Sequence, residues 1–216
     1  MPVANVKPVL LRRGLYAITN GPRADLMAVV ESALRGGAAM LQYRDKSSDT
    51  MRRHSEVRGL RELCRGHGAA LIVNDDIELA AACAADGVHL GEQDESIARA
   101  RARLGEAAIV GVSCYASLER ARAAAAAGAD YLAFGAFFVS PTKPAAARAS
   151  VDLLRAAKSF GLPLVAIGGI TPDNAAPLIA AGADFVAAVS GVFGASDPES
   201  AARGYAECFF DANRSG

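Results

Sequence analysis

The chain has 216 residues, 52% hydrophobic and 21% charged, enough for one substantial core of ordinary globular composition. Its 23 Lys and Arg balance 23 Asp and Glu, so no whole-molecule field draws nucleic acid or an anionic membrane, and any anion must be recognised locally. Its 4 cysteines are scattered without C-x-x-C spacing, no segment is apolar for long enough to span a bilayer, and the N-terminus lacks a signal-peptide pattern; the expectation is a cytoplasmic protein with reduced thiols, no zinc site and no disulfide framework.

Short β-rich runs recur in chain order: GLYAIT, MLQYR, ALIVN, GVHL, IVGVS, YLAFG, LVAIGG and FVAAVS. Most are nearly continuous in apolar character, as buried parallel strands are. Between them lie Ala-, Leu- and Arg-rich segments with helical spacing. ADLMAVVESALRGG closes on a glycine pair suited to a helix C-cap. SLERARAAAAAGAD opens on Ser117 with a Glu at a nearby helical position, and TPDNAAPLIAAGAD has Pro172 where a first turn tolerates it. The phrase AGAD occurs at 127–130 and 181–184, with AADG at 84–87 as a near echo, each just before a strand.

Strands alternating with helices mean parallel βαβ units. Eight units of roughly 27 residues each predict an α/β fold, a single-domain (β/α)8 TIM barrel over residues 1–216 with its core at about 14–210. A doubly wound open sheet is the rival, and it is weakened because LYAITNGPRAD has no G-x-G-x-x-G after the first strand.

In such a barrel the active site forms at the C-terminal ends of the strands. Conspicuous polar residues gather there. Strand two ends in Gln42, Arg44 and Lys46, on alternate positions that point one way in an extended chain. Strand three ends in Asn74, Asp75 and Asp76, strand four runs on to Asp94, and strand five ends in Ser113. Ser140, Thr142 and Lys143 follow strand six, Gly168 and Gly169 end strand seven, and Ser190 and Gly191 end strand eight. Any one of these has a plain structural reading; Asp76 reads best as an N-cap or surface residue and His89 as packed within its strand. Cys114 has no apparent histidine partner and is not expected to act as a nucleophile.

Asp75 and Asp94 are hard oxygen ligands suited to Mg²⁺, which takes further ligands from substrate phosphates. Arg44, Lys46 and Lys143 supply positive charge beside them, a set that suits a Mg²⁺–diphosphate complex. The glycine-containing ends of strands seven and eight suit a second, monophosphate group. Two phosphorylated small-molecule substrates follow, with neither nucleic acid nor membrane as a partner; a homodimer is admitted.

The strings QYRDK, IVND, GVHLGEQD, GVS, SPTK, AIGGI and VSG, in this order, resemble the thiamine-phosphate synthase family from about Leu15 to Pro198. The resemblance implies a Mg²⁺-dependent transferase that joins a hydroxymethylpyrimidine diphosphate to a thiazole phosphate and releases pyrophosphate. It implies that Gln42, Tyr43, Arg44, Asp45, Lys46, Asn74, Ser113 and Lys143 bind the pyrimidine diphosphate, with Arg44, Lys46, Ser113 and Lys143 catalytic. Asp75 and Asp94 would hold Mg²⁺, and Ser140, Pro141, Thr142, Gly169, Val189 and Ser190 the thiazole phosphate. The sequence departs from the family's frequent pattern at Tyr43, Asp76, Tyr115 and Val139–Ser140, and Asp76 would weaken diphosphate binding if it faced the site. Two alternatives stand beside the synthase: a thiazole tautomerase on the same barrel, which has no use for a diphosphate clamp, and a non-catalytic sensor of a thiamine intermediate.

Overall fold

The computed structural model describes residues 7–91, 96–139 and 148–212. All eight apolar runs are parallel strands: β1 (Gly14–Ile18), β2 (Ala38–Tyr43), β3 (Ala70–Asn74), β4 (Gly87–Leu90), β5 (Ile109–Tyr115), β6 (Tyr131–Phe134), β7 (Leu164–Ile167) and β8 (Phe185–Ala188). They pair in sequence order and β8 closes on β1, so the sheet is a barrel, as the alternation predicts, and not the open doubly wound rival.

The strands are covered by α1 (Leu26–Arg35), α2 (Thr50–His67), α3 (Ile77–Ala82), α4 (Ile97–Leu104), α5 (Leu118–Ala126), α6 (Val151–Ala157) and α7 (Pro172–Ala180). After β8 comes one turn, α8 (Ser190–Phe193), and then a longer helix, α9 (Pro198–Ala212), that packs on α1 and α7. As the sequence signals anticipate, Ser117 caps α5 by accepting from Arg120 N and Pro172 stands in the first turn of α7; Thr171 with Asn174 adds a capping box there. Two apolar layers result. One lies between strands and helices and includes Leu41, Leu71, Val88 and Leu132; the other fills the barrel with Tyr16, Met40, Ile72, Tyr131, Val165 and Phe185. Leu10, from a short 3₁₀ turn (Pro8–Leu11), is buried with this second layer. Among the described residues no helix is long and apolar enough to cross a membrane.

The AGAD repeat has a physical cause. Gly128 and Gly182 follow their helix caps with φ of 92° and 108°, where a side chain would be strained. The aspartate two residues on then turns back to the start of an earlier strand. Asp130 accepts from Val110 N at 2.6 Å and Asp184 from Leu164 N at 2.9 Å; Asp86, in the echo, accepts from Leu71 N at 2.7 Å. Each pairs with an N–H in the first or second residue of a strand, at the N-terminal end of the barrel. That leaves the opposite, C-terminal rim to carry chemistry.

Candidate active site

The end of β2 supplies a graded stripe. Gln42 is buried, Arg44 is half-buried and Lys46 is exposed, so the amide sits deepest and the cations rise toward solvent. Thr19, wholly buried after β1, fixes this stripe: its N–H donates to Gln42 O (2.9 Å), and its hydroxyl accepts from Arg44 N (2.8 Å). The alternate residues face the other way. The Tyr43 hydroxyl donates to Glu56 at 2.6 Å, and Asp45, its side chain fully enclosed, pairs with Arg52 at 2.8 Å and accepts from Ser47 N. Both side chains therefore tie the strand end to α2, and Asp45 also lines a cavity together with Lys46.

Asn74 and Asp75 end β3 beside Lys46, and all three line one cavity of about 350 Å³. Asp75 adopts φ 63°, a left-handed conformation that costs a non-glycine residue free energy and is common where geometry serves a site. Its N–H donates to His89 O at 2.9 Å, which binds the turn to β4. Asp76 lines this cavity too, so the extra carboxylate does face the site; there it caps α3 by accepting from Leu79 N, and its other oxygen meets Arg53 at 2.9 Å. Arg53, which the sequence reading does not single out, lines the same cavity. Its only distinguishing signal in sequence is its place one helical turn into α2.

Asp94 lies outside the described residues. Gly91, which follows β4, is held by Arg120, which donates to Gly91 O at 2.9 Å and to Ser113 O at 2.6 Å. No group of three or more His, Cys, Asp or Glu able to hold a metal is found among the described residues. Mg²⁺ asks for no such cage, because it retains water and takes only one or two carboxylates. Asp75, a hard donor in a cavity that also holds Lys46 and Asn74, fits that ion.

On the far side of the mouth, Gly168 and Gly169 pack on the segment after β6. Phe138 N donates to Gly168 O at 2.9 Å, and a Cβ on Gly169 (φ 63°) would come within 2.5 Å of Val139 O. The chain thus enters residues 140–147 directly beside Gly169; Ser140, Pro141, Thr142 and Lys143 themselves lie outside the described residues. Val189 is half-buried and Ser190 exposed at the end of β8. Tyr205 of α9 underlies both glycine loops, donating to Ile170 O at 2.8 Å and standing where a Cβ on Gly191 would meet its hydroxyl at 2.1 Å.

Ser113 is half-buried at the rim of β5, and its Oγ is 2.8 Å from His89 Nε2. His89 is therefore more than a packed residue, because its ring bonds at both nitrogens; Nδ1 lies 2.9 Å from Tyr131 OH. Tyr16 and Tyr131, both missed by the sequence reading, meet at 2.9 Å, and Gln42 Nε2 donates to Tyr16 at 2.9 Å. Aromatic residues inside apolar strands read only as core, which hides their hydroxyls from a pattern-based search. Cys114, beside Ser113, points into the outer core, where burial pushes its thiol up to about 12 and leaves it inert at neutral pH.

A closed parallel barrel whose C-terminal rim gathers an amide, two cations, an aspartate in a strained turn and glycine-lined loops is of the kind that binds phosphorylated small molecules. The chain belongs to the thiamine monophosphate synthase family, whose model matches residues 15–192. It is 55% identical over 201 residues to the thiamine-phosphate synthase of Thioalkalivibrio sulfidiphilus, covering 91% of this chain and 95% of that one. Identity to the thiamine-phosphate synthase of Thiobacillus denitrificans is 58% over 192 residues, with coverage of 88% and 91%. Among solved structures, thiamine phosphate pyrophosphorylase from Pyrococcus furiosus superposes with a TM-score of 0.82 at 35% identity, covering 92% of this chain and 96% of that one.

Proposed function

We propose that this chain is a Mg²⁺-dependent thiamine-phosphate synthase, joining an aminopyrimidine methyl diphosphate to a thiazole ethyl phosphate with release of pyrophosphate. The observation that carries this reading is the shared cavity of Lys46, Asn74 and Asp75 beside the Gln42–Arg44–Lys46 stripe, opposite the glycine loops at 168–169 and 189–191. One side of the mouth suits a diphosphate and its metal, and the other suits a monophosphate.

The electron-rich aminopyrimidine expels pyrophosphate as the C–O bond breaks heterolytically, both electrons leaving with the diphosphate oxygen. The carbocation left at the exocyclic methylene is stabilised by the ring, and the thiazole nitrogen supplies the electron pair for the new C–N bond. No covalent enzyme nucleophile is required, in keeping with the inert Cys114. Arg44 and Lys46, with Lys143, bind the leaving diphosphate and oppose its growing charge. Gln42 and Ser113 hold the pyrimidine end, and Gly169, Val189 and Ser190, with Ser140 to Thr142, seat the thiazole phosphate so that its nitrogen faces the methylene. Asp75 and Asp94 would hold Mg²⁺, which when bound neutralises charge on the diphosphate oxygens.

The test is pyrophosphate release by purified protein given both substrates and Mg²⁺, beside Asp94→Ala and Arg44→Ala. Release that requires both substrates and Mg²⁺ and collapses in both variants supports the synthase. A well-folded protein that releases none, yet isomerises a thiazole phosphate, would be the tautomerase instead.

A further inference from the structure

Beneath the rim, a chain of hydrogen bonds crosses the barrel interior. It runs from Gln42 Nε2 to Tyr16 OH, to Tyr131 OH, to His89 Nδ1, and from His89 Nε2 to Ser113 Oγ, with separations of 2.9, 2.9, 2.9 and 2.8 Å. The five side chains come from five strands: β2, β1, β6, β4 and β5. Tyr131 and Tyr16 are 0% and 1% exposed, Gln42 3% and His89 8%. The register makes the crossing fit. His89 pairs with Gly111 and Gly111 with Tyr131, so a bare position separates the two rings, which stack with centroids 5.6 Å apart.

We propose that these five side chains form a hydrogen-bond relay of fixed direction, in which the Gln42 amide sets the donor sense of every link and leaves the Ser113 hydroxyl proton to donate to the ligand in the barrel mouth. The assignment rests on the reading above of Gln42 and Ser113 as residues that touch the pyrimidine diphosphate.

The direction follows from proton counting. An amide nitrogen can only donate, so the Tyr16 oxygen accepts from Gln42. Burial raises the pKa of both phenols above the ordinary value, so each keeps its proton. The Tyr16 proton is directed to Tyr131; sent elsewhere, it would be a buried donor without an acceptor, which carries a penalty. Tyr131 in turn donates to His89 Nδ1. The imidazole proton then sits on Nε2 and is given to Ser113 Oγ, whose own proton is released toward the mouth. At the other end, the amide orientation that donates to Tyr16 leaves Gln42 Oε1 to accept from a ligand amino group. Tyr16, Tyr131 and His89 are on this account positioning residues, and they act through the two groups at the ends.

The tautomer of His89 reports the direction without any substrate. In ligand-free protein labelled with ¹⁵N-histidine, two-bond ¹H–¹⁵N correlation spectra, assigned against His54→Gln and His67→Gln, should show His89 protonated at Nε2 and bare at Nδ1. Gln42→Glu, nearly isosteric, places an acceptor-only carboxylate where the amide donated; above neutral pH every link should reverse and the proton should move to Nδ1. Tyr16→Phe cuts the relay two links from the imidazole and should leave a mixture of both tautomers. A packing role for Tyr16 would move neither signal. Wild-type His89 protonated at Nδ1, or a Gln42→Glu spectrum with the wild-type tautomer, overturns the relay. Because the readout needs neither turnover nor ligand, a protein with the Nε2 tautomer that releases no pyrophosphate would retain the relay and lose the synthase.

Discussion

Arg53 reaches from α2 to Asp76 at the head of α3, its Nη2 2.9 Å from the carboxylate, while its Nε is buried with no hydrogen-bond partner among the described residues. A buried N–H without an acceptor costs free energy, and this one belongs to a residue that lines the cavity of Lys46, Asn74 and Asp75. The Nε is enclosed and out of a ligand's reach, but the positive charge of the guanidinium acts on any diphosphate held in that cavity. Arg53→Met removes that charge and leaves Asp76 unopposed, and is therefore expected to raise KM for the pyrimidine diphosphate by about tenfold, roughly 1.4 kcal/mol, and to leave KM for the thiazole phosphate unchanged. Steady-state kinetics with each substrate varied in turn would check it, and an unchanged diphosphate KM would sink the idea.

Gly111 is a steric necessity of the barrel interior. A Cβ there would lie 1.8 Å from Tyr131 Cζ and 2.3 Å from its hydroxyl oxygen. Gly111→Ala must displace the Tyr131 ring from between Tyr16 and His89, in a core with no slack to receive it. A loss of about 3 kcal/mol in unfolding free energy is expected, at the upper end for overpacking. Denaturant titration of the variant would measure it, and a loss below about 1 kcal/mol would show that the ring is free to yield.

The fold was legible because its evidence is periodic: eight apolar runs and a repeated glycine–aspartate punctuation leave few architectures. The cationic stripe was legible for the same reason, since Gln42, Arg44 and Lys46 obey the two-residue alternation of a strand. The same alternation turns Tyr43 away from Gln42 and Arg44, and its hydroxyl bonds to Glu56 of α2. What sequence could not show is the partner of Asp45, which lies past the end of the strand and pairs with Arg52 of α2. The interior relay was hidden by separation. Tyr16 and Tyr131 are 115 residues apart, and only barrel closure brings their hydroxyls to 2.9 Å. Asp76 shows a third case: it lines the cavity of Lys46 and Asp75, and its partners there, Leu79 N and Arg53, come from positions that its place in the sequence does not single out.

Tyr205 links α9 to the glycine loops. Its hydroxyl donates to Ile170 O at 2.8 Å, and it fits only because Gly191 has no side chain. Tyr205→Phe keeps the ring and removes that tether, leaving a buried carbonyl without its donor. Looser loops at 168–170 and 189–191 should raise KM for the thiazole phosphate roughly fivefold, the equivalent of about 1 kcal/mol, with the diphosphate KM unaffected. Equal effects on both substrates would mean that Tyr205 supports the whole barrel and has no particular hold on this side of the mouth.

Asp45 makes acid stability depend on a residue beside the site. Burial alone would raise its carboxyl, but the Ser47 backbone N–H and the Arg52 guanidinium lower it by more, and the net shift is downward from 3.8. The folded protein therefore releases this proton more readily than the unfolded chain does. Its contribution to stability is complete above the unfolded value, near pH 4, and is lost as pH falls through the lower folded value. Arg52→Met removes the 2.8 Å ion pair and leaves burial less opposed, so the Asp45 carboxyl should take up its proton at a higher pH. The midpoint of acid unfolding, followed by circular dichroism, should move upward relative to the wild type, and high salt should move the wild type only slightly because the Asp45 side chain is enclosed. An acid midpoint that stays in place after Arg52→Met would show that the Ser47 amide alone holds the carboxylate in its charged form.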